Sequence, residues 1–278
     1  MVRSASTGSG REQLDLFRAL PGEMAIRDAQ DLMAYPFFSL AKSRRTVPID
    51  FHSGPVTVRV EGTGAHGIAT IWDADILIWA ASQIVEACDA GIRPSRRMRA
   101  TPYEILRFIG RGTSRRDYQR LRAALDRLQS TTVATSIRET TGRRLHRFSW
   151  INEWKECADV QGRPLGIELI LADWFFAGVL DEALVLTIDP AYFRLTGGIE
   201  RWLYRLVRKH GGRQPEGWRF DFPYLHRKSG SLARPSDFAC DLRALVMRQS
   251  LPGYVLSIER RPGSPEVLVF RPVPRMTR

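Results

Sequence analysis

The sequence predicts an α+β fold made of two tandem winged helix-turn-helix domains. In two places a short apolar helix is followed by a turn, a second helix and a pair of strands joined by an arginine-bearing turn. The first series runs from Thr101 to Trp154 and the second from Phe222 to Phe270. This order is typical of winged-helix proteins, in which the second helix fits the major groove and the wing tip lies along the phosphates.

The first series contains the first predicted DNA-reading helix. It starts with a short helix whose apolar face is Tyr103, Ile105, Leu106 and Ile109. After a turn at Gly110–Gly112, Ser114 suits the N-cap of the next helix, and Asp117 can meet its free backbone N–H groups. The inward stripe of this helix is Tyr118, Leu121, Leu125 and Leu128. The opposite face carries Arg116, Gln119, Arg120, Ala123 and Arg127, with Arg122 on the flank.

A strand pair follows this helix. Thr131 to Ile137 is rich in β-branched residues and predicts a strand, with Leu145 to Trp154 as its partner. The turn between them contains Gly142, Arg143 and Arg144. We therefore expect the two arginines at the tip of the first wing.

Upstream, the pattern predicts strands at 48–51 and 56–60 and a long helix that opens at 71–75. Asp73 and Asp75 suit the positive end of that helix. A paired-carboxylate active site is the alternative interpretation, but side chains two residues apart on a helix diverge. Capping is therefore the favoured role for both.

Composition sets the expected domain limits. Residues 1–34 are small, polar and charged, and predict a flexible N-terminal arm ending in a weak helix. The first winged-helix domain is placed at 35–160. A glycine-rich break at 162–166 predicts a linker or domain edge, and the second winged-helix domain is placed at 166–274.

A strongly patterned helix precedes the second series. Its apolar face is Ile199, Trp202, Leu203, Leu206 and Val207. Arg201 and Arg205 are expected to lie largely away from that face. Gly211 and Gly212 end the helix in the usual C-terminal manner.

The second series repeats the order of the first. Phe222 to Arg227 predicts a short helix, Ser229–Ser231 a turn, and Ser236 an N-cap. The helix that follows has a core face of Phe238, Leu242, Leu245 and Val246. Its outward face carries Ser236, Cys240, Arg243, Ala244 and Met247. Strands at 254–258 and 266–270 complete the unit, with Arg260 and Arg261 at the turn between them.

The charge distribution suggests a polyanionic partner. The net charge of the 278 residues is +12. Residues 101–147 hold 11 Arg and four acids, and residues 201–248 hold 11 Arg or Lys and four acids, so each block carries +7. Codon bias in a GC-rich genome explains arginine over lysine but not this uneven spread. Two basic blocks on a nearly neutral frame indicate nucleic acid met at two places.

Several function classes lack their motifs. Cys88, Cys157 and Cys240 stand far apart, and no H-x-H or H-E-x-x-H occurs, so neither a disulfide framework nor a metal site is indicated. The absence of G-x-x-x-x-G-K-[ST] excludes a P-loop ATPase. His210 and Arg213 match the H-x-x-R of tyrosine recombinases, but the glycines between them are better explained as a helix stop. Without a membrane-length apolar run or a signal peptide, we expect a cytoplasmic protein that needs no cofactor.

Eight segments of the chain resemble the plasmid replication initiator protein A family of proteobacteria. They are PFFSLAKSRR, HGIATIWDADILIWAASQI, TPYEILRFIGRG, DYQRLRAALDRLQSTTVATSIR, FSWINEW, GIELILADWFF, LTGGIERWLYRLVRKHGG and LHRKSGS, and the resemblance covers about Tyr35 to Val273. It implies binding to repeated double-stranded DNA sites at a plasmid origin, help in opening the duplex, and contact with host initiator and helicase proteins. It also implies a homodimer with a monomeric DNA-bound form, in which the second domain dominates base contact.

The candidate DNA contacts come from both helices, both wings and the second turn. They are Arg115, Arg116, Gln119, Arg120, Arg127, Arg143, Arg144, Arg227, Lys228, Ser229, Ser231, Ser236, Arg243, Met247, Arg260 and Arg261. Arg243 is the preferred bidentate guanine reader. Lys228, Ser229 and Ser231 suit phosphate oxygens.

The residues by themselves support double-stranded DNA binding without enzymatic activity. They do not separate replication initiation from transcriptional repression at an operator, and a strand-breaking enzyme is the least favoured alternative. The hypothesis requires that Arg116, Arg127 and Arg243 face one duplex and are not held in internal ion pairs.

Overall fold

The computed structural model describes residues 15–139, 145–212, 214 and 216–273. Within these residues the helices are α1 (Gln30–Ala34), α2 (Ala74–Asp89), α3 (Pro102–Phe108), α4 (Arg115–Ser130), α5 (Asp173–Leu180), α6 (Gly198–Gly211), α7 (Phe222–Ser229) and α8 (Pro235–Arg248). The strands are β1 (Leu16–Arg18), β2 (Arg27–Ala29), β3 (Ile49–Ser53), β4 (Val56–Glu61), β5 (Arg97–Ala100), β6 (Thr132–Thr135), β7 (His146–Ser149), β8 (Ile151–Ala158), β9 (Pro164–Leu171), β10 (Val185–Thr187), β11 (Trp218–Asp221), β12 (Tyr254–Glu259) and β13 (Val267–Pro272). The protein is therefore of mixed α and β structure, as predicted.

The strands form sheets of different sizes. The described residues give a sheet of order β1-β5-β9-β8, a sheet of order β3-β4-β6-β7, a sheet of order β11-β13-β12 and the pair β10-β2. Strand β1 runs parallel to β5, whereas the other pairings in these sheets are antiparallel.

Two parts of the chain share one order of elements. The first unit consists of α2, β5, α3, α4, β8 and β9, and the second unit of α6, β11, α7, α8, β12 and β13. In each unit the strand that follows the first helix pairs with the last strand, and the last strand pairs with the one before it. The two units thus match in the order and pairing of these elements, except that β6 and β7 stand between α4 and β8 in the first unit.

Local signals fix the helix pair of the first unit. The Thr101 side chain accepts a hydrogen bond from the backbone of Glu104, and the Glu104 carboxylate accepts one from the backbone of Thr101, which forms a capping box at the start of α3. Ser114 and Asp117 form the same arrangement at the start of α4, so the predicted N-cap is confirmed. Gly110 has φ +66° in the turn between them, a conformation that suits glycine. The inward leucines of α4 are buried as predicted, namely Leu121, Leu125 and Leu128.

The helix pair of the second unit is also where the pattern places it, with one correction. Asp221 caps α7, and Gly230 ends it with φ +62°. Helix α8 begins at Pro235, directly after Arg234, and Ser236 lies inside its first turn. The predicted Ser236 cap is therefore wrong, because Pro235 takes the first helical position, where its missing N–H costs nothing. The predicted core positions Phe238, Leu242 and Leu245 are buried.

The strand pair predicted after α4 is confirmed for β6 and β7, but its second strand is shorter than expected. The expected strand from 145 to 154 is divided at Trp150, a fully buried residue: β7 before it pairs with β6, and β8 after it pairs with β9. Of the segment 162–166, residues 162 and 163 end a hairpin connection and residues 164–166 begin β9, so this segment is not a linker. Because β8 and β9 lie side by side in one sheet, the expected limits at 160 and 166 separate two paired strands.

The expected flexible arm is ordered wherever it is described. Strand β1 pairs with β5, and its Phe17 is buried in the core. Strand β2 pairs with β10, and α1 is largely buried. The arm prediction is wrong from residue 15 onward, because its charged residues made buried segments look solvated.

Two buried ion pairs join α6 to the rest of the protein. Arg201 donates to both oxygens of Asp75 on α2 at 2.8 and 2.9 Å, and Arg111 donates to the same carboxylate at 3.0 Å. Arg205 donates to both oxygens of Asp28 at 2.7 and 2.8 Å. Arg201 and Arg205 are each 1% exposed, so the prediction that they lie away from the core is wrong.

Asp75 therefore does not act as a helix cap. It lies inside α2, and its carboxylate is fully buried. Asp73 does occupy the N-cap position, but its side chain makes no capping hydrogen bond to the helix. Both aspartates lie at the positive end of α2 as predicted, Asp73 at the N-cap and Asp75 in the first turn, but the predicted capping hydrogen bond is absent. Their carboxylates instead accept from Arg127 and Arg201, which are distant in sequence.

The buried Asp75–Arg201 ion pair connects α2 of the first unit to α6 of the second. It predicts that Asp75→Ala is much less stable than the wild type. The change leaves the buried Arg201 guanidinium without its carboxylate, and we expect the free energy of unfolding to fall by about 3–5 kcal/mol. Urea unfolding followed by tryptophan fluorescence measures this change. Arg219→Ala, which removes an exposed partner of Glu259, should leave the midpoint nearly unchanged. Equal decreases in the two variants would contradict the role given to the buried pair.

Candidate nucleic-acid interface

The N-terminal half of α4 presents the most accessible cations among the predicted contacts of the first unit. Arg115, Arg116, Gln119 and Arg120 are all exposed. Arg115 and Arg116 form no ion pair with any residue that the structure describes, while Arg120 lies 3.5 Å from Asp117. These side chains project from a helix whose first turn is held in place by the capping box. This surface can donate hydrogen bonds to phosphates and base edges.

Arg127 is not part of this surface. It donates to both oxygens of Asp73, each at 2.7 Å, and its hydrogen bonds with Asp73 raise the pKa of Arg127. Asp73 is buried and also accepts from the backbone N–H of Thr70. The prediction that Arg127 faces outward is wrong, because its guanidinium is paired with Asp73 at the start of α2.

The connection between β8 and β9 holds the hairpin-tip position in the first unit. The Asp159 carboxylate accepts hydrogen bonds from the backbone N–H groups of Gln161 and Arg163, which fold the turn tightly. Arg163 is exposed, and Val160 beside it is 96% exposed. Arg143 and Arg144, predicted at the wing tip, lie outside the described residues. The turn ends in the glycine-rich segment that the sequence analysis assigned to a linker or domain edge.

The outward face of α8 is small and weakly polar. Ser236, Cys240, Ala244 and Met247 are exposed as the pattern predicts, and Met247 is 85% exposed. Such groups suit contact with thymine methyl groups more than with phosphates.

Arg243, at the side of α8, is paired with Glu266, the residue just before β13. It donates to Glu266 at 3.1 and 3.2 Å from Nε and at 2.5 Å from Nη2. Arg260 donates to the same carboxylate at 2.7 Å, and these two arginines lower the pKa of Glu266. Arg261 at the tip remains exposed. One acid therefore engages both a predicted base reader and a predicted phosphate contact. The sequence hypothesis required Arg116, Arg127 and Arg243 to be free of internal ion pairs, and this requirement fails for Arg127 and Arg243. Only Arg116 meets it among the described residues, so the case for DNA binding depends on the exposed arginines of α4.

The turn between α7 and α8 is covered by the N-terminal part of the chain. Arg45 donates to the carbonyl of Gly230 at 2.5 Å, and a Cβ added at Gly230 would lie 3.0 Å from side-chain atoms of Pro36 and Ile49. Ser229 is buried and Ser231 half-buried, while Arg227 on the preceding turn is exposed. The buried Ser229 is therefore not positioned to meet a phosphate oxygen, whereas the contact predicted for the half-buried Ser231 stays a prediction.

Lys228 lies in an aromatic cage, contrary to its predicted place on the DNA surface. It is 5% exposed, and its Nζ lies 4.7 Å from the ring centre of Tyr35, 5.5 Å from that of Tyr224 and 5.6 Å from that of Phe51. Burial, and then the neighbouring Lys209, lower the pKa of Lys228 to about 8. The three rings attract the cation, but no carboxylate pairs with it among the described residues.

The histidine of the H-x-x-R match belongs to another aromatic cluster. His210 packs against Phe220 with ring centres 5.1 Å apart and lies 6.1 Å from the Trp218 ring. Burial and two nearby lysines lower the pKa of His210 to about 4. Arg213 lies outside the described residues. Within the described part of the chain, no group of three or more His, Cys, Asp or Glu residues is placed to hold a metal ion.

The environment of Lys228 predicts a distinct pH dependence. Its pKa is about 8 in the folded protein against an ordinary lysine value of 10.5, so the folded state loses this proton first and stability rises between pH 8 and 10.5. Lys228→Met should raise the free energy of unfolding at pH 7 and remove this part of the rise, as measured by urea unfolding across that range. Arg227→Met, at the exposed neighbour, is the matched control. Weaker DNA binding by Lys228→Met at unchanged stability would show instead that the amine reaches phosphate.

No helix in the described part of the chain is long and apolar enough to cross a membrane.

Comparison with solved structures finds the same fold in domains 2 and 3 of RctB. One crystal structure of these domains has a TM-score of 0.62 at 15% identity and covers 87% of this chain and 98% of that one. A second has a TM-score of 0.58 at 14% identity and covers 88% and 97%.

Sequence comparisons are more specific about the family. A protein of Wigglesworthia glossinidia brevipalpis that is named for replication is 31% identical over 226 residues, which span 80% of this chain and 81% of that protein. The model of the replication initiator protein A family matches residues 27–256, which include both units described above except for most of the last hairpin. The chain therefore belongs to the replication initiator protein A family.

Proposed function

We propose that this protein is a non-enzymatic plasmid replication initiator that binds repeated double-stranded DNA sites at its origin through two winged helix-turn-helix domains. The observation that carries the proposal is the exposed pair Arg115 and Arg116 on α4, which form no ion pair with a described residue and lie in a unit with the winged-helix order of elements. Family membership supports a role in replication initiation.

In the proposed complex α4 enters the major groove. Arg115, Arg116 and Gln119 then reach phosphates and base edges, with the choice between them set by the depth of the helix in the groove. The connection between β8 and β9 serves as the first wing, and Arg163 at its end follows the sugar-phosphate backbone. The first wing is thus assigned to this hairpin.

The second unit binds through α8 and the turn at Arg261. Ala244 and Met247 contact thymine methyl groups, and Ser236 donates to a base or a phosphate. Arg243 reads guanine only after it leaves Glu266, and such an exchange offsets part of the gain from the new contact. Base contact by the second unit is therefore more apolar than the sequence suggested.

Opening of the origin follows from binding rather than from nucleotide hydrolysis by this chain, which lacks a P-loop motif. Several protein molecules bound in phase on direct repeats deform the duplex, and host initiator and replicative helicase proteins complete the opening. The free protein is proposed to be a homodimer that binds each repeat as a monomer.

Removal of the α4 arginines tests the DNA surface. Arg115→Ala/Arg116→Ala should lower affinity for an origin repeat by about tenfold or more at low salt, since each hydrogen bond to a base or phosphate contributes about 1 kcal/mol or more. The slope of log K against log salt should also become shallower by about 0.9 for each phosphate that the variant no longer neutralises. Fluorescence anisotropy with a labelled duplex over a salt series gives both quantities.

The matched control removes two exposed arginines elsewhere, Arg18 on β1 and Arg219 on β11. Arg18→Ala/Arg219→Ala changes the net charge equally, so it separates a local contact from a general decrease in charge. Equal weakening by the two double variants would refute the assignment of the interface to α4.

Footprinting tests the initiator role itself. We expect protection of direct repeats at the origin of the plasmid that encodes the protein, with regular spacing between protected segments. Deletion of the gene should abolish plasmid replication, whereas derepression alone would identify an operator-binding repressor. Supercoiled DNA incubated with the protein should show neither nicks nor a covalent adduct, and either product would identify a strand-breaking enzyme.

A further inference from the structure

A cavity of about 750 Å³ lies beside α4, and its lining includes Arg120 but neither Arg115 nor Arg116. Its wall includes one face of α4, the turn after α3, and loops at 42–44, 65–72 and 193–196. The cavity reaches inward to the buried side chains of Ile76, Leu121 and Arg201. Its size falls in the range of small-molecule sites, which is about 300–1,000 Å³.

Cations outnumber carboxylates around this cavity. They are Lys42, Arg44, Arg111, Arg120, Arg127 and Arg201, against Asp73 and Asp117. The two deepest arginines, Arg127 and Arg201, are already matched by the buried Asp73 and Asp75. The unmatched charge is therefore concentrated at the mouth.

Lys42 and Arg44 carry most of that unmatched charge. Both are exposed, and neither forms an ion pair with a described residue. Lys42 lies 5.5 Å from the Trp72 ring centre, and Arg44 donates to the carbonyl of Ala65 at 3.2 Å. Arg120 of α4 lines the same cavity and lies 3.5 Å from Asp117. Three long cationic side chains around one cavity suit a ligand with more than one phosphate oxygen.

The interior of the cavity is apolar and suits an apolar group. Its lining there includes Ile68, Ile76, Leu106, Leu121 and Phe193. The side chains of Thr70, Thr196 and Ser43 add a few hydrogen-bonding groups. A DNA duplex cannot fill such a recess because its convex surface spans the mouth. A small molecule that combines an aromatic ring with a charged tail can fill it.

We propose that this cavity binds a nucleoside di- or triphosphate, with the base in the apolar interior and the phosphates between Lys42, Arg44 and Arg120. Arg111 lies within reach of the same ligand while it donates to Asp75, the carboxylate that joins α2 to α6. A bound ligand would thus contact Arg111, next to the Asp75–Arg201 ion pair that connects α2 to α6, and one face of α4. The ligand is an effector of DNA binding, not a substrate, and this regulatory role rests on the proposed function.

ATP binding to the full chain tests this proposal. Isothermal titration calorimetry should detect one ATP site, and Lys42→Ala/Arg44→Ala should weaken it by about tenfold or more because two charge-assisted hydrogen bonds are removed. Both substituted side chains are exposed, and circular dichroism checks that the variant is folded. Arg18→Ala/Arg219→Ala, which removes two cations elsewhere, should bind ATP like the wild type.

Two further ligands define the recognition. Adenosine should bind weakly and inorganic tripolyphosphate more weakly than ATP, because each supplies half of the interactions. Tripolyphosphate binding as tight as that of ATP would overturn the proposal in favour of a general polyanion surface. Displacement of ATP by an acidic peptide of higher affinity would overturn it in favour of a peptide partner.

The origin duplex is titrated in parallel so that failures can be told apart. Absence of ATP binding with intact binding of the repeat overturns the nucleotide site and leaves the proposed function standing. Failure of Arg115→Ala/Arg116→Ala to bind the repeat, with ATP binding intact, supports two separate faces on α4.

Discussion

The carboxylate of Asp75 is the point on which the arrangement of the two units depends. It accepts hydrogen bonds from Arg201 at the start of α6 and from Arg111 in the turn between α3 and α4. One buried anion thus links the first helix of each unit to the turn that precedes the candidate DNA-reading helix. Buried ion pairs contribute little net stability compared with apolar packing, but removal of one partner is costly. Such a pair fixes a specific geometry between packed parts.

The basic composition of the chain serves two different purposes. Arg201 and Arg205 neutralise buried aspartates inside the protein, and Arg127 neutralises another at its edge. Arg115 and Arg116 stay exposed at the surface, without an ion pair to any described residue. The net charge of each basic block therefore overstates how many cations are available to a polyanion. The position of the accessible cations within the fold is more informative than their number.

Local features were predictable from sequence, whereas long-range pairings were not. The Ser114 capping box and the apolar stripe of α4 depend on residues within a few positions of each other, so their spacing determines them. The partners Arg201 and Asp75 are 126 residues apart, and Arg205 and Asp28 are 177 apart. Nothing in the local pattern distinguishes these buried charges from solvated ones. The strand expected at 145–154 was predictable only in part: β7 pairs with β6 as expected, but after the buried Trp150 the chain continues into β8, which pairs with the distant β9.

The pairing of β1 with β5 bears on products of this gene that lack the N-terminal residues. It pairs in parallel with β5 at the edge of the sheet that supports α4, and so it covers hydrogen-bonding groups that would otherwise face solvent. An uncovered strand edge is a template for pairing with another chain. An expression product that starts downstream of Arg18, whether from an internal start codon or from proteolysis, would therefore be prone to self-association although every candidate DNA contact is present.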